Sequence, residues 1–392
     1  MERMKYDFNT VTPRRGTCSY KWDTAEGKDL LPMWVADMDF RTAPAIIKAL
    51  QDRVAHGIFG YTKVPEEYYR AVTSWFERRH NWTIDPRWMI YTSGVVPALS
   101  AIIKAMTVPG DKVIVQTPAF NCFFSSIRNN GCELSANRLL LRDGRYFMDF
   151  DDLERQAADP RAKVMVLCNP HNPGGRVWTA DELRKMGEIC LRNGVFVIAD
   201  EIHCEFTFNG HDYTPYAALS PQLSRNCAVC VSPSKAFNIA GLQIANIVAE
   251  DDETRRKIDR AINDNEVCDV NPFGVLATIA AYNEGEEWLD ELRQYLWDNY
   301  MHAADFFAKR LPNYSIMPLE GTYLLWIDCH AAGMEADEIE QRLEKEQGLM
   351  LSPGTMFGPG GEHFMRMNIA CPRQLLDDGL QRFENFERQR TL

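Results

Sequence analysis

Five short runs constrain this chain more than anything else in it: "KVIVQ" (112–116), "KVMVLC" (163–168), "VFVIAD" (195–200), "CAVCVS" (227–232) and "ANIVAE" (245–250). Each is apolar almost without a break. A strand with one face in water alternates apolar and polar residues, whereas a strand covered on both faces does not. Between several of these runs lie stretches with helical spacing, such as "SGVVPALSAIIKAM" (93–106) and "TADELRKMGEICLRN" (179–193). The second opens on Thr179 with Glu182 three residues on, the pattern of a capping box. Doubly covered strands alternating with helices predict an α/β fold with a mostly parallel sheet flanked by helices.

After Glu250 the pattern changes. Helical stretches over 252–283 and 286–310 precede "YSIMPL", "TYLLWID", a helix near 335–346, "LMLSPG", "FMRMNIA" and a last helix from Arg373. This predicts a smaller α+β domain built on a long connecting helix. The expected division is an N-terminal segment over 1–45 that packs with the small domain, a large domain over 46–284 and a small C-terminal domain over 285–392. The first forty residues have no clear period.

At 392 residues, 45% hydrophobic and 25% charged, the chain can bury a large core. A net charge of -12 argues against a nucleic-acid partner, because phosphate binding needs basic patches. The opening "MERMKYDFNT" has no apolar segment of the secretory kind. No apolar run reaches the roughly 18 residues that span a bilayer. A cytoplasmic protein that engages neither membrane nor nucleic acid is therefore expected. Of the 11 cysteines, Cys227 and Cys230 form a CxxC, but no second pair completes a zinc set. On a strand, side chains three apart point to opposite faces, so buried reduced thiols are expected.

Ligands of open α/β sheets bind beyond the C-terminal ends of the strands. The unusual residues cluster there. "SPSK" closes 227–232 and presents Lys235 between two core-like segments, where partial burial lowers an amine's pKa and suits it to a Schiff base with an aldehyde cofactor. The alternative is a rim lysine in an ion pair. "DEIH" closes 195–200, and Asp200 ends an apolar strand, where a carboxylate needs a partner. Glu201 beside it is the structural member of the pair. "NPHNPGG" follows 163–168 and holds two Asn amides at the rim. The turn at Gly94 opens a helix whose free N–H groups can bind phosphate, with Ser232 and Ser234 as further donors. His171 and His211 lie nearby and read as structural.

Together, "SGVVPAL", "NPHNPGGRVW", "DEIH", "SPSKAFNIAGLQIAN" and "RMNIACPR" resemble the fold-type I pyridoxal-phosphate enzymes of the class I/II aminotransferase superfamily. "LPMWVADMDF" (31–40) and "GIFGYT" (57–62) narrow the resemblance to the MalY/PatB branch, the cystathionine β-lyase-like C–S lyases. The resemblance implies pyridoxal 5'-phosphate as cofactor, with Lys235 as its covalent anchor and proton shuttle. Asp200 would pair with the pyridine nitrogen. Asn172 would bind the ring 3-oxygen, assisted by His203 where many relatives have Tyr. Val95, Val96, Ser232 and Ser234 would hold the phosphate, and Phe120 would stack on the ring. Arg366 would clamp the substrate carboxylate, with Ala36 and Tyr323 beside the substrate and Trp34 a further candidate lining residue. Tyr61 would reach the phosphate of a neighbouring subunit, which implies a homodimer with shared active sites. Two departures stand out: Gln243 where many relatives have an arginine, and Phe120 where this branch commonly has Tyr. The implied reaction is α,β-elimination of cystathionine or another S-substituted cysteine. An aminotransferase is the alternative, and a regulatory cofactor-binding protein a second one.

Overall fold

All five apolar runs become adjacent strands of one seven-stranded sheet. The structure is a computed structural model, and it describes residues 4–24 and 29–390. Strands Lys112–Thr117, Ala162–Cys168, Phe196–Asp200 and Cys227–Val231 lie side by side and parallel. Glu133–Arg138 extends them in parallel at one edge. At the other edge Ala245–Val248 runs antiparallel to Cys227–Val231 and to the outermost strand, Met89–Thr92. Six strands therefore point one way and one points back.

The continuous hydrophobicity has its expected cause. Along Cys227–Val231, residues Cys227, Val229 and Val231 belong to one core cluster, and Ala228 and Cys230 to another on the opposite face. The two thiols of the CxxC are free, buried and on opposite sides of the sheet. The two strands with no sequence signal are instructive. Glu133–Arg138 is a mostly polar edge strand with half of its residues exposed, and Met89–Thr92 is only four residues long.

Helices Val95–Met106 and Ala180–Arg192 cover the sheet, and the second carries both hydrogen bonds of the Thr179–Glu182 capping box. The helical stretch expected over 252–283 is two helices, Asp252–Asn263 and Pro272–Glu284. Pro272 explains the break: it lacks an N–H and begins the second helix, while Asn271 caps it through Phe273 N (3.0 Å). Glu286–Arg310 is one long helix, as expected. The helix near 335–346 is Ala336–Arg342 followed by a wider turn over Leu343–Gln347.

A second, four-stranded antiparallel sheet runs Ser315–Ile316, Leu324–Asp328, Phe364–Asn368, Ser352–Pro353. The N-terminal segment is woven into this part of the chain. Leu31–Pro32 pairs with Leu349–Met350, and Asn368 donates through Nδ2 to the carbonyls of Val35 and Asp37 (both 2.6 Å). Lys21 and Arg14 grip the buried Asp39 carboxylate from two sides (2.7 and 2.8 Å) and Trp22 Nε1 donates to it as well (2.8 Å). These bonds hold residues 34–39 in place between the two sheets. Among the described residues, no helix is long and apolar enough to cross a membrane.

Candidate active site

The ends of five strands meet around one cavity of about 210 Å³. Strand Cys227–Val231 delivers Lys235 through the short turn Pro233–Ala236, which Ser232 caps by accepting from Ser234 N (3.1 Å). Ser232 also donates to the Ile244 carbonyl (2.6 Å), so its hydroxyl belongs to the turn and does not line the cavity, whereas Ser234 does. Lys235 is half-buried, and its Nζ donates to the Ala36 carbonyl (2.6 Å). Burial, and next the Arg366 charge, push its pKa down to about 8. Tyr323 is fully buried behind it and donates to the same Ala36 carbonyl (3.0 Å).

Strand Phe196–Asp200 delivers two carboxylates with different tasks. Glu201 turns inward and accepts from Tyr213 Oη, from Tyr216 N (2.9 Å) and from Asn169 Nδ2 (3.1 Å), as a structural member should. Asp200 lines the cavity, and Ile202 N donates to it (3.2 Å). Burial pushes its pKa up to about 7. Among the described residues no ion pair holds it, and the Lys235 charge in the same cavity offsets only part of the cost of burial.

The tandem Asn-Pro turn separates its amides in the same way. Asn169 is bonded to Glu201, and Asn172 faces the cavity, accepting from Arg366 through Oδ1 (3.0 Å). Arg366 stands behind Asn172, donating also to the Trp34 carbonyl (2.8 Å) and Ser352 Oγ (3.5 Å). All three partners are neutral, and Nε has none. Burial lowers this guanidinium to about 10. His203 lines the cavity, is buried, and has no partner for Nδ1; burial holds it well below the usual histidine range.

Helix Val95–Met106 starts at the cavity. Its first internal bond goes from Ala98 N to the Gly94 carbonyl (3.0 Å), which leaves the N–H groups of Val95 and Val96 for a ligand. Phe120 borders the cavity from the loop after Lys112–Thr117, and Gln243 borders it with φ 52°. His171 is buried and accepts from Gly174 N (3.2 Å), and His211 sits 3.9 Å from Glu320; both are structural. Tyr61 is 99% exposed and takes no part in this chain's own cavity.

Ser93, Cys168, Ile202 and Ile244 also line the cavity and had no separate signal. Cys168 is the last residue of an expected strand, so the strand-end rule alone could have found it. The donor set fits a phosphorylated pyridine aldehyde. It offers one amine, one buried carboxyl, an amide and an imidazole, a flat aromatic wall, and a helix start for phosphate.

The state of Asp200 has a measurable consequence. Its folded pKa, like that of Glu201, is raised to about 7. Between pH 5 and 7 the unfolded carboxyls are ionised while the folded ones keep protons, so these two groups lower the stability of the ligand-free protein as pH rises, while His171 and His203, held neutral by burial, act in the opposite sense. Each group contributes a slope of at most about 1.4 kcal/mol per pH unit. Asp200→Asn is expected to remove one destabilising contribution and so shift the slope of stability against pH upward by up to about 1.4 kcal/mol per pH unit. Urea midpoints at pH 5, 6 and 7 check this; an unchanged slope refutes it.

The sequence profile of the class I and II aminotransferases matches residues 28–383. The chain is 44% identical to cystathionine beta-lyase PatB of Bacillus subtilis over 96% of its length and 99% of that protein's. It is 34% identical to MalY of Escherichia coli over 96% of its length and 97% of that protein's. Among solved structures, cystalysin from Treponema denticola, which contains pyridoxal 5'-phosphate, superposes with a TM-score of 0.95 at 33% identity, covering 98% of this chain and 100% of that one. A cavity at the strand ends with one lysine in it, on a chain alike over nearly its full length, leads to one conclusion: this protein belongs to the class I and II aminotransferase family, in the branch that holds PatB and MalY.

Proposed function

We propose that the protein is a pyridoxal-phosphate-dependent carbon–sulfur lyase that carries out α,β-elimination of L-cystathionine or a related S-substituted cysteine, giving a thiol, pyruvate and ammonia. The observation that carries this reading is Lys235, an amine lowered to about 8 in the same cavity as Asp200, in a chain 44% identical to a cystathionine β-lyase. When bound, pyridoxal phosphate supplies an electron sink for the pair left at the substrate Cα. The remaining tasks fall to the chain. Lys235 anchors the cofactor and, once free, has enough neutral amine near pH 8 to take the Cα proton. Asp200 would pair with the pyridine nitrogen, whose positive charge would keep the buried carboxyl ionised. Asn172 and His203 serve the ring oxygen. Val95 N, Val96 N and Ser234 hold the phosphate, with Ser232 shaping the turn, and Phe120 covers one ring face. Arg366, whose present partners are all neutral, takes the substrate carboxylate as a bidentate fork. Ala36 and Tyr323 steady the lysine from the substrate side.

A homodimer with shared sites belongs to the same reading. Tyr61 reaches the neighbour's phosphate from a stretch where Val54, Ile58 and Phe59 are also exposed. A cytoplasmic location agrees with 11 free thiols. The division at 1–45, 46–284 and 285–392 is likewise part of this reading, supported by the pairing of Leu31–Pro32 with Leu349–Met350; residues 1–3, 25–28 and 391–392 lie outside the described residues. Protein loaded with pyridoxal phosphate is expected to release pyruvate from L-cystathionine. No pyruvate from cystathionine, cystine or S-alkylcysteines, with the pyridoxamine form accumulating instead, moves the assignment to transamination.

A further inference from the structure

Phe357 is 1% exposed, and its ring centroid lies 4.8 Å from the guanidinium carbon of Arg366. Trp326 packs edge-on against the same ring (5.2 Å, 79°) and is itself stacked on Phe364 (5.0 Å, 4°). The ring is therefore clamped between the guanidinium and an aromatic column. Its backbone has no slack either. A Cβ at Gly354 would strike the Gly361 carbonyl, one at Gly361 the Gly354 carbonyl, and one at Gly358 (φ 81°) would come within 2.7 Å of the Phe124 ring. The Phe357 carbonyl accepts from Ala119 N (2.8 Å), next to Phe120 at the cavity.

Arg366 needs such a restraint. Asn172 Oδ1 and the Trp34 carbonyl hold its two terminal nitrogens, but Nε is unpartnered and no partner carries a charge. The electron-rich face of a buried ring is attractive to a guanidinium and resists its rotation. We propose that Phe357 is a positioning residue whose π face fixes the plane of the Arg366 guanidinium so that it receives the α-carboxylate of the amino-acid substrate. The proposal rests on the reading of Arg366 as the carboxylate clamp. A carboxylate is held equally before and during the chemical step, so loosening its clamp raises KM and leaves kcat in place.

The test uses cofactor-loaded protein and two measurements: steady-state kinetics with L-cystathionine, and the Kd of propionate, a carboxylate that cannot react, by calorimetry. Phe357→Leu and Phe357→Met both remove the π face with different shapes, so one folded variant suffices. Each is expected to raise KM and the propionate Kd roughly tenfold with kcat within about twofold, while Phe357→Tyr keeps all three near wild type. If the Leu and Met variants leave KM and Kd unchanged while Arg366→Ala raises both, the proposal is overturned and the clamp stands. A fall in kcat and thermal midpoint at constant Kd also overturns it, since that is the mark of a packing role alone. If Arg366→Ala leaves the propionate Kd unchanged, the clamp reading itself fails and the proposal falls with it.

Discussion

Lys235→Ala protein is expected to release pyruvate from L-cystathionine about a thousandfold more slowly than wild type, or worse, while remaining folded. Among the described residues, Lys235 is the one amine lining the cavity, so nothing nearby replaces it as anchor or as base. Its Nζ makes a single hydrogen bond, to the Ala36 carbonyl, and the charge it carries is already disfavoured by burial. Removal therefore costs little stability and nearly all activity, which circular dichroism and a pyruvate assay separate. A variant with more than about a tenth of wild-type activity refutes the assignment of Lys235 as the base. The same variant tests the shared site. Mixed with Tyr61→Ala and refolded together, it forms hybrids in which one site has an intact Lys235 and receives an intact Tyr61 from the partner. Random pairing of equal amounts restores about a quarter of wild-type activity if Tyr61 acts across the interface. No restoration beyond the sum of the parents places Tyr61 outside the neighbour's site.

The largest effect on stability is expected at a group that does not itself line the cavity. Asp39→Ala should destabilise the protein by about 3–5 kcal/mol, because it strands a buried ammonium. Lys21 is 2% exposed, and its next carboxylate is Asp37 at 3.7 Å, which Arg14 already holds at 2.6 Å. Trp22 Nε1 loses its acceptor in the same stroke. Asp52→Ala is the matching control. Its partner Lys48 is just as close (2.6 Å), but both side chains stand in solvent at 75% and 67% exposure. There the loss should be small, because solvent screens the pair. Urea unfolding of both variants at one pH checks the pair; equal midpoints mean that the Lys21–Asp39 pair is not the anchor described. Because the Asp39 network holds residues 34–39, a rise in KM is expected to accompany the instability.

Much of this was legible from residue order. Doubly buried strands must be apolar at every position, so five central strands stood out within a residue or two of their observed ends. The edge strand Glu133–Arg138 did not, because half of it is exposed and Glu133, Ser135, Asn137 and Arg138 break the apolar run. Pro272 was visible as a letter but was overrun by the helical pattern on either side.

The site divides along the same line. Sequence alone determined the kinds of group and their place at strand ends: Lys235, Asp200, Asn172 and the start of helix Val95–Met106 sit there because the chain must turn where each buried strand stops. It also marked Arg366 and Phe120 through resemblance. It was silent on how groups far apart in the chain face one another. That Ser232 is consumed by its own turn while Ser234 is not, that Glu201 is bonded inward while Asp200 faces the cavity, and that the carbonyl of Ala36 meets Lys235 across 199 positions are outcomes of packing. Residues 34–39 have no period of their own, and their position comes from Asn368, Lys21 and Arg14, which lie elsewhere in the chain. Local pattern sets which residues end a strand; only the closing of long loops around a common core, paid for by burial, decides which of those ends meet.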